Sequence, residues 1–269
     1  MTRPAAFTRY PRIAANLSML FTEYPFIDRF GHAADAGFRG VECQFPYDFD
    51  CHAIRDALDA RDLELVMFNL PAGDWTAGER GIACHPDRRE EFRDGVDQAI
   101  AYAKILGNRM INCLSGITPD GVSSLEAHET FIDNLAYAAQ ALERENIRLL
   151  IEAINTRDIP RFFLHGSEQA LAIRERVGSG NLFLQYDAYH MQVMEGDLAN
   201  TIAHNLKHIG HVQIADNPGR HEPGTGEINY QFLLSHLAAV GYKGWVSLEY
   251  TPRTTTEAGL KTLRDWLFD

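Results

Sequence analysis

Short apolar runs alternate with longer segments of helical periodicity along this chain. The runs are Ile13–Leu20, Gly40–Gln44, Glu64–Leu70, Arg109–Ser115, Arg148–Asn155, Leu182–Tyr186, His211–Ala215 and Trp245–Tyr250. Each is followed by a helical segment. In Arg89–Leu106, residues Phe92, Val96, Ala99, Ile100 and Ala103 recur at spacings of three and four and form one apolar face. Gly107 then stops that helix. Leu125–Glu145 repeats the pattern, as does Tyr230–Val240 before Gly241. Strand–helix alternation of this kind calls for parallel strands joined by crossover helices, in an open sheet or a closed barrel. Eight units in 269 residues match an α/β (β/α)8 TIM barrel, read as one domain over residues 1–269. The open sheet lacks its usual mark. No G-x-G-x-x-G follows the first strand, and Gly178-Ser179-Gly180 precedes a strand instead of opening a helix.

Charge narrows the partners. The formal net charge is −12, and no Lys/Arg run supplies the basic patch of a general phosphate-backbone binder, so no nucleic acid partner is expected. No apolar run approaches the ~20 residues of a membrane helix, and no membrane partner is expected. The opening MTRPAAFTRYPRIAANLSML lacks the sustained apolar core of a secretory signal. Cys43, Cys51, Cys84 and Cys113 show no CxxC spacing, which suits reduced thiols in a cytoplasmic protein better than a zinc ribbon. A homo-oligomer remains open.

In a barrel the chemistry gathers where strands end. The fifth run, RLLIEAIN, carries Glu152 among Leu149, Leu150, Ile151, Ala153 and Ile154. A buried unpaired charge costs several kcal/mol, so Glu152 should be paired, protonated or bound to a cation. Asp187 follows the sixth run directly, with His190 just beyond. The seventh holds His211 and Gln213, with Asp216 next after it, and the eighth Glu249. Neighbouring parallel strands lie ~4.8 Å apart, so these groups can converge. Oxygen-rich donors suit a hard divalent cation, Mg²⁺ or Mn²⁺. Each group also has a plainer reading. Asp187 could cap the next helix. His211 and Gln213 share one face of their strand, and only one need be a ligand. His190 either touches substrate or is structural. His204, His208 and His236 fall in helical segments and receive no chemistry.

Two long loops flank these ends. Residues 69–86, after the third run, are rich in glycine and polar groups. Arg80 and His85 there could face an anionic substrate, and the loop could be a lid. Alternatively the loop is a connector and Arg80 pairs with Glu79 or another surface acid. Residues 215–230 place Arg220, His221 and Glu222 beside the seventh strand end.

ANLSMLFTEYPFIDRF, FRGVECQFPYD, NLPAGDWTAGERGIACHP, EFRDGVDQAIAYAKILGN, IEAINTRDIP, QYDAYHMQVMEGDL, IGHVQIADNPGRHEPGTGEINY and EYTPRTTTEAGL together resemble the hydroxypyruvate isomerases over nearly the whole chain. These belong to the xylose isomerase-like barrels, with ketose 3-epimerases and endonuclease IV. The resemblance implies aldose–ketose interconversion of hydroxypyruvate and 2-hydroxy-3-oxopropanoate. It assigns the paired catalytic glutamates to Glu152 and Glu249. By similarity to the barrel epimerases, the metal set would be Glu152, Asp187, the strand-seven residue and Glu249. The epimerases commonly have His where Gln213 stands here; Gln is a neutral, weaker ligand, so a metal requirement stays open. The similar 2-oxo-tetronate isomerases leave a four-carbon substrate open too.

Such an isomerisation passes through an enediolate and needs a base, an acid and positive charge near the developing oxyanion. Glu152 and Glu249 are expected to flank the substrate, with His190 polarising a substrate oxygen. Arg80 leads the candidates for the carboxylate of a small 2-oxo acid, followed by His85 and Arg220. The competing classes are an endonuclease IV-like nuclease and a non-catalytic sugar-acid binding protein.

Overall fold

Capping residues bound the helices where apolar spacing places them. In α3 (Arg89–Leu106), Phe92, Val96, Ala99, Ala103 and Leu106 are buried. Gly107 ends it in the left-handed region at φ 81°, its N–H donating to the Ala103 carbonyl at 2.7 Å. Ser123 caps α4 (Ser124–Arg144) by accepting from the Glu126 N–H at 3.2 Å. The remaining helices of this computed structural model, which describes residues 11–267, follow the strands in turn. The first ten residues of the N-terminal stretch read above lie outside the described residues.

The strands are β1 (Arg12–Asn16), β2 (Gly40–Glu42), β3 (Glu64–Leu65), β4 (Phe68–Asn69), β5 (Met110–Cys113), β6 (Arg148–Glu152), β7 (Leu182–Asp187), β8 (Ile209–Ile214) and β9 (Trp245–Leu248). All their pairings are parallel, in the order β3-β2-β1-β9-β8-β7-β6-β5-β4. The two ends of that order are neighbours in sequence. Run three, expected as one strand, is two short ones because it changes partner midway. β3 pairs with β2 and β4 pairs with β5. Between them the Val66 N–H donates to the Val41 carbonyl at 2.7 Å, and the Asn69 N–H to Gln44 at 2.9 Å. The eight-unit ring is closed through this segment, as the count of eight units predicts.

The outer helices are α1 (Phe26–Asp35), α2 (Cys51–Arg61), α3, α4, α5 (Ser167–Val177), α6 (Ala188–Met194), α7 (Leu198–Asn205), α8 (Tyr230–Ala239) and α9 (Thr256–Leu267). One crossover is split into α6 and α7, where Gly196 and Asp197 take positive φ. Among the described residues, no helix is long and apolar enough to cross a membrane.

Inside the ring, side chains change character from bottom to top. Ala14, Val66, Met67 and Trp245 form a buried apolar plug at the strand starts. Trp245 lies so close to β2 that a Cβ on Gly40 would sit 2.7 Å from its ring. Further along the strands the inward positions turn polar: Ser247 and Glu249 after Trp245, His211 and Gln213 on β8, and Glu152 after Leu150 on β6. The period of two along a strand carries this gradient. The apolar plug fixes the floor, and the polar layer forms the mouth.

Candidate active site

Strand register brings the mouth residues to one level. Asn16 lies opposite Glu42, Glu152 opposite Gln185, and Asp187 opposite Gln213. Glu249 follows β9, its N–H donating to the Ile214 carbonyl at 3.1 Å. A cavity of about 80 Å³ opens here, lined by Glu152, His190, Arg220, Glu249, Gln185 and Gln213 among others. A larger depression, about 640 Å³, lies at the opposite end around Arg12, Glu64, Arg148 and Trp245. It has no cluster of carboxylates, so chemistry, rather than volume, selects the smaller one.

Glu152 is 5% exposed. Its Oε2 accepts from Asn112 Nδ2 at 3.1 Å and Gln185 Nε2 at 2.9 Å, while Oε1 has only His190 Nε2 at 4.0 Å. Burial drives its pKa well above the usual carboxylate range. Glu249 and Asp187 push the same way, and Arg220 opposes them. Glu249 accepts at Oε1 from Asn16 Nδ2 (2.9 Å) and Gln44 Nε2 (3.1 Å), and at Oε2 from Arg220 (2.5 Å). Burial raises its pKa and the Arg220 charge lowers it, leaving it at about 7. Asp187 does cap the next helix: Oδ1 accepts from the Tyr189 N–H at 2.8 Å. Its other oxygen is buried without a hydrogen bond, 3.5 Å from both His190 Nε2 and an Arg220 nitrogen. Both readings of Asp187 thus describe one residue, one oxygen each.

His190 is held in a single tautomer. Asn155 Oδ1 accepts from the N–H groups of Arg157 (3.1 Å) and Asp158 (2.8 Å), which fixes its amide orientation. Asn155 Nδ2 then donates to His190 Nδ1 at 2.7 Å. The imidazole proton therefore resides on Nε2 and points at Asp187 and Glu152. Burial, reinforced by Arg220, lowers the His190 pKa well below its ordinary value and keeps the ring neutral.

Arg220 is placed by its loop. Asp216, at the end of run seven, accepts at Oδ1 from the N–H groups of Asn217 (2.9 Å) and Ile228 (3.1 Å), and at Oδ2 from Gly224 (2.7 Å). It organises the loop and faces away from the cavity. Arg220 itself has φ 54°. Its guanidinium sits 5.4 Å from the Tyr189 ring centroid. His221 Nδ1 contacts the Thr251 carbonyl, and Glu222 accepts from the Arg253 N–H; both fasten this loop to the segment after β9.

Arg80 and His85 stand elsewhere. The Arg80 guanidinium lies 4.1 Å from the centroid of Trp75 and donates to the Trp75 and Glu79 carbonyls. The Glu79 carboxylate pairs with Arg88 instead. His85 Nε2 contacts the Ile117 carbonyl at 3.0 Å. Neither Arg80 nor His85 is among the residues lining the cavity.

Glu42 was not singled out from sequence. It is fully buried and contacts His211 Nε2 at 2.7 Å; its Oε1 accepts from Asn16 at 2.9 Å and Gln213 at 2.7 Å. Burial would raise its pKa, but the His211 charge and these hydrogen bonds outweigh it and hold it below the usual range. The signal was present: an acid inside the apolar run Gly40–Gln44, as in run five. Also missed were five carboxamides. Asn16, Gln44, Asn69, Asn112 and Gln185 join the expected Gln213 around the carboxylates, and Gln185 Nε2 donates to both Glu152 and Gln213 Oε1.

A cavity ringed by acids at the carboxyl ends of barrel strands invites comparison with known proteins. Residues 30–268 match the model of the xylose isomerase-like TIM barrel family. The chain belongs to that family. It is 58% identical over 250 residues to the hydroxypyruvate isomerase of Escherichia coli (strain K12), covering 93% of this chain and 97% of that relative. It is 44% identical over 257 residues to a 2-oxo-tetronate isomerase of Cupriavidus necator, covering 96% and 99%. The crystal structure of an AP endonuclease, family 2, from Brucella melitensis superimposes with a TM-score of 0.93 at 47% identity, covering 96% of this chain and 99% of that one.

In this xylose isomerase-like barrel the acids fit a hard cation at one corner. Glu152, Asp187 and His190 place a donor atom each within 4.8 Å of one another. The under-occupied Glu152 Oε1 and the orphaned Asp187 Oδ2 are the oxygens such an ion would take. His190 contributes an N–H to this corner, because Asn155 occupies its lone pair. Gln213 Oε1 and Glu249 Oε2 are engaged by Gln185 and Arg220, so both must exchange partners before joining a ligand set.

Proposed function

We propose that the protein is an aldose–ketose isomerase that interconverts hydroxypyruvate and 2-hydroxy-3-oxopropanoate. The observation carrying this is the pair of buried glutamates, Glu152 and Glu249, which line one small cavity from non-adjacent strands with raised pKa values. The names of the relatives from Escherichia coli and Cupriavidus necator support the reaction class. One glutamate takes a proton from C3 of the oxo acid to form an enediolate, and the other delivers a proton to C2. The O3 hydroxyl proton moves to O2, so carbonyl and hydroxyl exchange places, and a proton returns from the first carboxyl to the second through water. Arg220 beside Glu249 favours its ionised form, which suits Glu249 as the base toward hydroxypyruvate. Glu152, which Arg220 reaches only from farther away, suits the acid while no cation is bound. The His190 Nε2–H donates to the substrate oxygen that gains charge, and Arg220 offsets the substrate carboxylate.

A divalent ion, Mg²⁺ or Mn²⁺, would be held by Glu152 and Asp187, with Gln213 and Glu249 completing the set. When bound it supplies Lewis-acid polarisation of the substrate oxygens. The protein acts as one barrel domain over residues 1–269, with no nucleic acid partner. Its four free thiols, three of them buried, suit a cytoplasmic setting. The test is a coupled assay of hydroxypyruvate, 2-oxo-tetronates and free ketoses. Turnover of hydroxypyruvate in wild type and its loss in Glu249→Gln support the assignment. Binding of the oxo acids without turnover would make this a sugar-acid binding protein instead.

A further inference from the structure

The loop after β4 is firmly held at its base. The Gly81 N–H donates to the Ala72 carbonyl and the Cys84 N–H to Ser115, both at 2.9 Å, and Asn134 Nδ2 to the Ala83 carbonyl at 2.8 Å. Gly81 and Gly116 approach so closely that a Cβ on either would lie 2.5 or 2.4 Å from a facing carbonyl oxygen. At the tip, Asp74 Oδ1 accepts from the N–H groups of Thr76 and Ala77, each at 3.0 Å. Trp75 projects from this anchored frame. Its ring is clasped between Phe45, with centroids 5.0 Å apart, and the Arg80 guanidinium.

Trp75 borders two spaces. It lines the cavity of about 80 Å³ that holds Glu152 and Glu249. It also lines a neighbouring pocket of about 510 Å³, with Ser18, Phe45, Asp48, Thr76 and Gln98. Hydroxyl, carboxamide and carboxylate groups of this kind can hydrogen-bond the hydroxyls of an extended sugar-acid chain. Ser18 also ties the two spaces together: its Oγ accepts from the N–H of Gln44, whose side chain reaches Glu249.

We infer that Trp75 is the wall that sets substrate chain length, and that the pocket behind it is a subsite for carbons beyond C3 of a longer 2-oxo sugar acid. This rests on the isomerase assignment above and deepens it. With the wall in place the enzyme works on a three-carbon acid. With the indole removed, the catalytic cavity runs into the outer pocket and a fourth carbon with its hydroxyl is accommodated. Arg80 acts on the substrate only through the position of Trp75.

The experiment compares wild type, Trp75→Ala and Trp75→Phe, measuring kcat and KM for hydroxypyruvate and for a 2-oxo-tetronate. Trp75→Ala is expected to raise the four-carbon to three-carbon ratio of kcat/KM by at least ~10-fold, within the range of pockets that discriminate by one carbon. The gain should come mainly from a lower KM for the longer acid, with Trp75→Phe in between. An unchanged ratio, or an equal fall for both substrates, overturns the inference. Calorimetric binding of glycerate and erythronate, the unreactive three- and four-carbon acids, reads the same ratio without turnover. If wild type isomerises neither oxo acid, the functional assignment falls. The binding ratio then still decides whether Trp75 is the wall. Trp75 is 38% exposed on a loop tip, and Trp75→Phe guards against loss of fold in the smaller variant.

Discussion

Two acids at the barrel mouth, Glu42 and Glu152, are buried to nearly the same degree and have opposite chemistry. Around Glu42 both oxygens are engaged: His211 on one, Asn16 and Gln213 on the other. Around Glu152 two carboxamides bind one oxygen and the second faces the cavity, beside an orphaned oxygen of Asp187. Burial by itself therefore does not mark a reacting group. A fully answered carboxylate is ionised and structural. One left half-answered is pushed toward protonation and is available to a substrate or cation.

Exchanging each acid for its amide is the sharpest way to break this comparison. Glu152→Gln should lower kcat by ~10²–10⁴-fold with the thermal midpoint nearly unchanged. Near-normal turnover would remove Glu152 from the chemistry. Glu42→Gln should do the reverse. Losing a buried charge-assisted hydrogen bond costs about 1.5–3 kcal/mol, read as a lower denaturant midpoint, while the folded fraction keeps most of its turnover. Loss of turnover without loss of stability would place Glu42 in the reacting set and erase the distinction.

Cation binding sharpens the same contrast. In Mn²⁺ titrations followed by electron paramagnetic resonance, Asp187→Asn should weaken binding beyond the ~10–100-fold typical of losing a supporting partner, and Glu42→Gln should weaken it less. Equal weakening by both would mean that the ion does not discriminate the two corners.

The smallest effect concerns the loop carrying Trp75. Burial lowers the His85 pKa below its ordinary 6.5; the Ile117 carbonyl raises it, Arg88 lowers it, and Glu79 and Glu91 raise it. Below 6.5 the opened loop binds more protons than the closed one. The stabilisation from His85 is thus complete above that pH and is lost as pH falls through the folded value. Amide exchange across residues 81–86, corrected for intrinsic rate, should quicken below about pH 6 in wild type and stay flat in His85→Gln. Identical profiles would leave His85 without a part in holding the loop.

Much of the mouth was legible because charge inside an apolar run is anomalous. Glu152 announced itself in this way, Asp187 and Glu249 as acids where strands end, and the periodic helices with their glycine stops outlined the barrel. Glu42 obeyed the same rule in a run of five residues, too short to frame it. Two other features could not be read. The partner switch of run three is a property of ring closure, which no local pattern records. Apart from Gln213, the carboxamides went unread because they carry no charge to stand out, and Arg80 looked available because the indole that occupies it lies across a turn.

Those carboxamides have a consequence of their own. Asn16, Gln44, Asn112, Gln185 and Gln213 contact the acids as water would, yet each is tethered to a strand or the segment just after it and already aimed. When a proton leaves one carboxyl and arrives at another, liquid water would have to turn its molecules to follow the charge. A medium of fixed dipoles has little turning left to do, so the work of solvent reorganisation is largely completed when the chain folds. Being neutral at every ordinary pH, this built-in solvent also stays the same while the acids within it titrate.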